Sequence, residues 1–64
     1  MTEIQKQIIA ALIYFGPSRP IDLQAKIGMR GLHFPVREIQ SAINELLNQK
    51  KIKKSDIAPD AVKI

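Results

Sequence analysis

The sequence predicts a mostly α-helical domain: three helices followed by a small β-hairpin. Three observations carry this expectation. Apolar residues recur at helical spacing in two long segments, Glu3–Phe15 and Pro35–Gln49, and in a shorter one from Pro20. Gly16-Pro17 and the Gly28–Gly31 stretch punctuate the chain between them. Beyond Gln49 the helical period is lost, and Ala58-Pro59-Asp60 separates two short strand-compatible runs.

Each element has a local reason. Thr2 and Gln5 have the T-x-x-Q spacing of a capping box, which predicts helix 1 over Glu3–Phe15. Ile4, Ile8, Ala11, Leu12 and Phe15 share one face of it, and Gly16-Pro17 ends it. Pro20 suits a first helical turn, where its missing N–H is not needed. Helix 2 is expected over about 20–27, with Ile21, Leu23 and Ile27 as its apolar residues and Gly28 as a left-handed C-cap. In the connector, Phe34 precedes a proline and is pushed out of helical geometry. Met29, Leu32 and Phe34 are expected to fold back onto the core, because the connector is too apolar to be wholly solvated. Helix 3, over about 35–49, gathers Val36, Ile39, Ala42, Ile43, Leu46 and Leu47 into one stripe. The region from about 51 to 64 reads as a hairpin with Pro59 at position i+1 of its turn. Its ragged alternation also suits a final helical turn.

A chain of 64 residues is one domain and buries only about 60% of its unfolded surface, so a marginal fold is expected. It has no cysteine, hence no disulfide frame and no thiolate metal site. Lys6 interrupts the first apolar stretch, with no basic region before it and no A-x-A site after it. The N-terminus is therefore not expected to be a signal peptide, and the expected location is cytoplasmic. No apolar run approaches membrane-spanning length. The net charge of +4 and pI near 9.8 favour polyanionic partners, although solubility alone accounts for such an excess. The distribution says more: Lys50, Lys51, Lys53 and Lys54 fall within five residues, and the rest of the chain is close to neutral. Two readings fit the cluster, a phosphate-binding patch and a lysine-protected edge strand.

The polar side of helix 3 carries Arg37, Ser41, Asn44 and Asn48 in a line, with Gln40 at its edge. Arg hydrogen bonds guanine bidentately, and Asn and Gln do the same for adenine. A helix with such side chains outside and a core stripe inside, followed by clustered lysines, suggests DNA binding. The plainer reading is that any surface helix needs a polar face.

The order of helix, helix, helix and basic hairpin resembles the winged helix-turn-helix family over nearly the whole chain. IDLQAKIG (Ile21–Gly28) is similar to the first helix of the helix-turn-helix pair. VREIQSAINELLNQKKI (Val36–Ile52) is similar to the recognition helix leading into the first wing strand. Ile39, Ala42, Ile43 and Leu46 have the family's spacing of an aliphatic, a small residue and two more aliphatics. The resemblance implies that helix 3 enters the major groove, with Arg37, Gln40, Ser41 and Asn44 on base edges. It matches Lys53 and Lys54 to the wing's phosphate contacts, and Lys50 and Lys51 join them in the expected patch. Three features depart from the family. The connector before helix 3 is longer than the compact turn, Glu38 and Glu45 occupy one flank of the reading helix, and Lys50 stands where a glycine often caps it. The function implied is a small DNA-binding transcriptional regulator whose partner is double-stranded DNA. The alternative is a protein-binding winged-helix adaptor or inhibitor; a third reading is an assembly or replication accessory with non-specific DNA affinity.

No catalytic constellation is expected. His33 is the only histidine, Ser18, Ser41 and Ser55 lack a nucleophile motif, and no phosphate-cradling glycine motif occurs. Asp56 and Asp60 lack the ligand count of a calcium loop, so no metal or cofactor is implied. Helix 1 holds a second clue. Ile9 and Ile13 lie away from its core stripe, with Tyr14 partway round. They are covered either by the rest of the protomer or by a partner, most simply in a twofold homodimer.

Overall fold

Thr2 nucleates the first helix as its spacing requires. In the computed structural model, which describes all 64 residues, Thr2 Oγ1 accepts the Gln5 N–H at 3.4 Å, and Gln5 Oε1 accepts the Thr2 N–H at 3.2 Å. Helix α1 spans Glu3–Phe15 and stops at Gly16, whose φ of 85° lies where an L-side chain is strained. Helix α2 spans Pro20–Gly28 and α3 spans Val36–Asn48. Strands β1 (Lys53–Lys54) and β2 (Val62–Lys63) pair antiparallel, with Lys53 opposite Lys63 and Lys54 opposite Val62.

Asp22 holds the start of α2. Its carboxylate accepts the Arg19 backbone N–H at 3.2 Å and the Arg19 Nε at 3.0 Å. The side-chain hydrogen bond from Arg19, then the one from the Arg19 backbone, hold the Asp22 carboxyl below its ordinary pKa. A lowered carboxyl pKa contributes stability that is complete above the unfolded value and is lost as pH falls through the folded one. Arg19→Ala is therefore expected to move the Asp22 titration upward toward the ordinary carboxylate range, as followed by side-chain NMR.

The core is a single cluster drawn from every element. Ile8, Ala11 and Leu12 of α1 meet Leu23 and Ile27 of α2 and Ile39, Ala42, Ile43 and Leu46 of α3; Ile52 and Val62 close it from the hairpin side. Leu32 and Phe34 pack against it from the connector, as their apolarity predicts. Met29 does not: it is 80% exposed. Phe15 and Ile21, expected among the apolar faces, are also largely exposed. Phe15 is the last residue of α1, and its ring is met by Lys26 of α2 and not by the core cluster.

The end of α2 differs from expectation for a backbone reason, and that of α3 puts Lys50 in the capping position where its sequence placed it. Gly28 is simply the last helical residue; the left-handed turn comes at Gly31, with φ of 88°. At the end of α3 the left-handed residue is Lys50, with φ of 60°. Lys50 N–H donates to Leu47 C=O and Lys51 N–H to Leu46 C=O, both at 3.0 Å, which is the paired Schellman pattern. A β-carbon in this conformation costs about 1 kcal/mol. Lys50→Gly is expected to stabilise the fold by about that much in a urea titration, because the turn is retained and its strain removed.

The hairpin is fastened to the helices by one bridge. Ser18, in the link between α1 and α2, exchanges both backbone hydrogen bonds with Val62, at 3.0 and 2.9 Å. Strand β2 thus lies between Ser18 and β1. The Ser18 hydroxyl is buried, donates to Gly16 C=O at 3.0 Å and accepts from Lys26 Nζ at 2.9 Å. The turn is as expected: Ala61 N–H closes on Ala58 C=O at 3.2 Å with Pro59 at i+1. No helix is long and apolar enough to cross a membrane.

Candidate nucleic-acid interface

Burying one stripe of α3 fixes what its other side presents. With Ile39, Ala42, Ile43 and Leu46 turned inward, Arg37, Gln40, Ser41, Asn44 and Asn48 are all exposed along the outer face. Gln40 Nε2 donates to Asn44 Oδ1 at 3.1 Å, one helical turn on. Gln40 keeps its carbonyl oxygen and Asn44 its amide N–H groups for an outside partner. The protein's one salt bridge joins Arg19 to Asp22, so no carboxylate neutralises Arg37.

The hairpin register separates the two lysines of β1. Neighbouring residues of a strand face opposite ways, and directly paired residues share a face. Lys54 shares its face with buried Val62 and lines a groove of about 170 Å³ between the hairpin and α3, together with Gln40, Asn44 and Leu47, and with the Asp60 carboxylate at the turn. Lys53 lies on the other face, directly opposite Lys63. Two like charges in such a pair repel and favour an anion between them. Lys63 escapes a reading of the sequence because its significance is its register with Lys53, which only the turn geometry sets. Lys50 and Lys51 are exposed at the end of α3, where cations also oppose the negative end of the helix dipole.

The other flank of α3 is acidic. Glu38, Ser41 and Glu45 face Thr2, Glu3 and Gln5 across a depression of about 420 Å³ at the start of α1. Glu45 accepts a 2.7 Å hydrogen bond from Gln5 Nε2, which accounts for a buried glutamine and ties the two helices together. The exposed row on α3 therefore runs between a lysine-bearing hairpin and an acidic margin. A polyanion is drawn to one side and repelled from the other, which gives the face a direction.

The proposed site residues thus fall into three sets. Gln40, Asn44 and Lys54 converge on one groove, and Arg37 and Ser41 stand outside it on the same helix. Lys50, Lys51 and Lys53 lie beyond its rim. Of the residues proposed for a dimer interface, Ile13 and Tyr14 are exposed, whereas Ile9 is partly buried against the core. The second apolar stripe of α1 is correspondingly narrower than its helical wheel implies. No family model, curated protein or solved structure matches the chain.

Proposed function

We propose that this chain is a winged-helix DNA-binding domain acting as a transcriptional regulator, with α3 in the major groove and the hairpin as its wing on the phosphate backbone. The observation that carries the reading is the convergence of the Gln40–Asn44 pair and Lys54 on a single groove. It joins groups able to read base edges to a cation able to hold the adjoining phosphate, with the Asp60 carboxylate at the turn end of the groove. Arg37 and Ser41 extend the base-reading row. Lys50, Lys51, Lys53 and Lys63 supply phosphate contacts around it. The acidic margin of Glu38 and Glu45 supports one orientation on the duplex, with the backbone on the hairpin side.

The test is a titration of random-sequence duplex DNA over a range of salt concentrations. Each neutralised phosphate adds about 0.9 to the log–log slope, so three to five contacts give a slope of about −3 to −4.5. Absence of binding at low salt removes the DNA reading and leaves the protein-binding adaptor.

A further inference from the structure

We propose that the surface at the C-terminal ends of α1 and α2 binds a protein segment carrying acidic side chains around an apolar strip. Tyr14 is 82% exposed, and Met29 is nearly as open. Tyr14, Phe15 and Met29 border one depression of about 350 Å³. The Tyr14 and Phe15 rings meet edge to face with centroids 4.8 Å apart, so two aromatic anchors are held in place before any partner arrives. This surface shares no residue with the groove between α3 and the hairpin, and the proposal does not rest on the DNA reading.

The charges at its border select the occupant. Lys26 and Arg30 complete the lining of the depression. Lys26 Nζ lies 5.0 Å from the Phe15 ring centroid and donates to the Ser18 hydroxyl; Arg30 donates to the Gln7 side-chain oxygen at 3.2 Å. Neither cation forms a salt bridge, and Asp22, one helical turn before Lys26, is engaged by Arg19 and reaches Lys26 only through its field. An apolar depression lined by two cations without a salt-bridge partner and by no acid complements an apolar strip bordered by acids. A second copy of the chain is a poor occupant: a twofold axis through this surface brings the two cations of one copy toward the same two of the other, with no acid to meet them. A single-stranded nucleic acid fits less well, because perpendicular rings offer no shared platform for successive bases and Met29 adds flexible apolar area that stacking does not use.

Selection of a random-peptide phage library on the immobilised protein tests this, followed by binding measurements with the synthesised winners. Asp and Glu flanking Leu, Phe or Trp are expected in the enriched sequences. Tyr14→Ala is expected to weaken the winners at least about tenfold, and Arg30→Glu to weaken them similarly. Both side chains are exposed, so the thermal midpoint of either variant is expected to stay near that of the parent. Arg30 is chosen over Lys26 because Lys26 also supports buried Ser18. Affinity of Tyr14→Ala for duplex DNA is expected to equal that of the parent. The proposal is overturned by a library that yields no enrichment, by neutral or basic winners, or by winners indifferent to Tyr14→Ala. It is equally overturned by self-association or oligothymidine binding that Tyr14→Ala abolishes.

Discussion

Exchange of both Lys53 and Lys54 for alanine is expected to lower affinity for duplex DNA by about fifty- to a hundredfold at about 0.1 M salt, by the same factor for every sequence. The size follows from counterion release. One phosphate contact contributes about 0.9 to the salt slope, which at that concentration amounts to about 1.2 kcal/mol, and two contacts together give the stated factor. The salt slope itself is expected to fall by about 1.8. Fluorescence anisotropy at several salt concentrations measures both quantities. Because the two lysines face opposite ways, the single variants distinguish the faces. Lys54→Ala removes a contact beside Gln40 and Asn44, while Lys53→Ala leaves Lys63 without its repelling neighbour. Lys63→Ala is expected to behave like Lys53→Ala. On α3 the pattern differs: Asn44→Ala or Arg37→Ala costs about 1–3 kcal/mol on a preferred site and little on random DNA. Uniform losses from the α3 variants would make that face merely polar.

Much of this architecture was legible because it repeats. The α3 stripe recurs over three turns, and the structure buries Ile39, Ala42, Ile43 and Leu46 on it. The Thr2–Gln5 spacing encodes a cap whose two hydrogen bonds are both present. Single long-range events leave no such trace. The Ser18–Val62 bridge joins residues 44 apart in the chain through backbone atoms, to which side-chain patterning is blind. Gln5 is buried because Glu45, forty residues later, accepts its amide. Met29 is placed inside by apolarity and Phe15 by its helical spacing with Leu12, yet both are exposed, each at or just beyond the end of a helix. Their exposure, together with unpaired Lys26 and Arg30, creates the second surface. At the candidate interface the residue types were visible in the sequence. The opposite facing of Lys53 and Lys54 depends on strand register and was not.

Leu46→Ala is expected to be the most damaging single truncation of α3. Leu46 is fully buried on α3, and its carbonyl also accepts the Lys51 N–H that closes the helix end. Removing a buried leucine side chain costs about 2–5 kcal/mol, the spread reflecting how far the cavity collapses. A chain of 64 residues has a total stability of only about 3–10 kcal/mol. The variant is thus expected to be partly unfolded at room temperature, with a thermal midpoint about 10–40 °C below the parent. Urea denaturation followed by far-UV circular dichroism measures the loss. Asn48→Ala, on the exposed side of the same helical turn, is expected to stay within about 0.5 kcal/mol of the parent. A Leu46→Ala loss below about 1 kcal/mol would mean that the last turn of α3 is held by its Schellman cap, with little contribution from the core beneath it. On the proposed reading, DNA affinity of Leu46→Ala falls in proportion to its unfolded fraction, and a stabilising osmolyte, which leaves every contact residue in place, restores part of it. That restoration separates a folding defect from a lost contact, since Leu46 points away from the face that carries Arg37, Gln40 and Asn44.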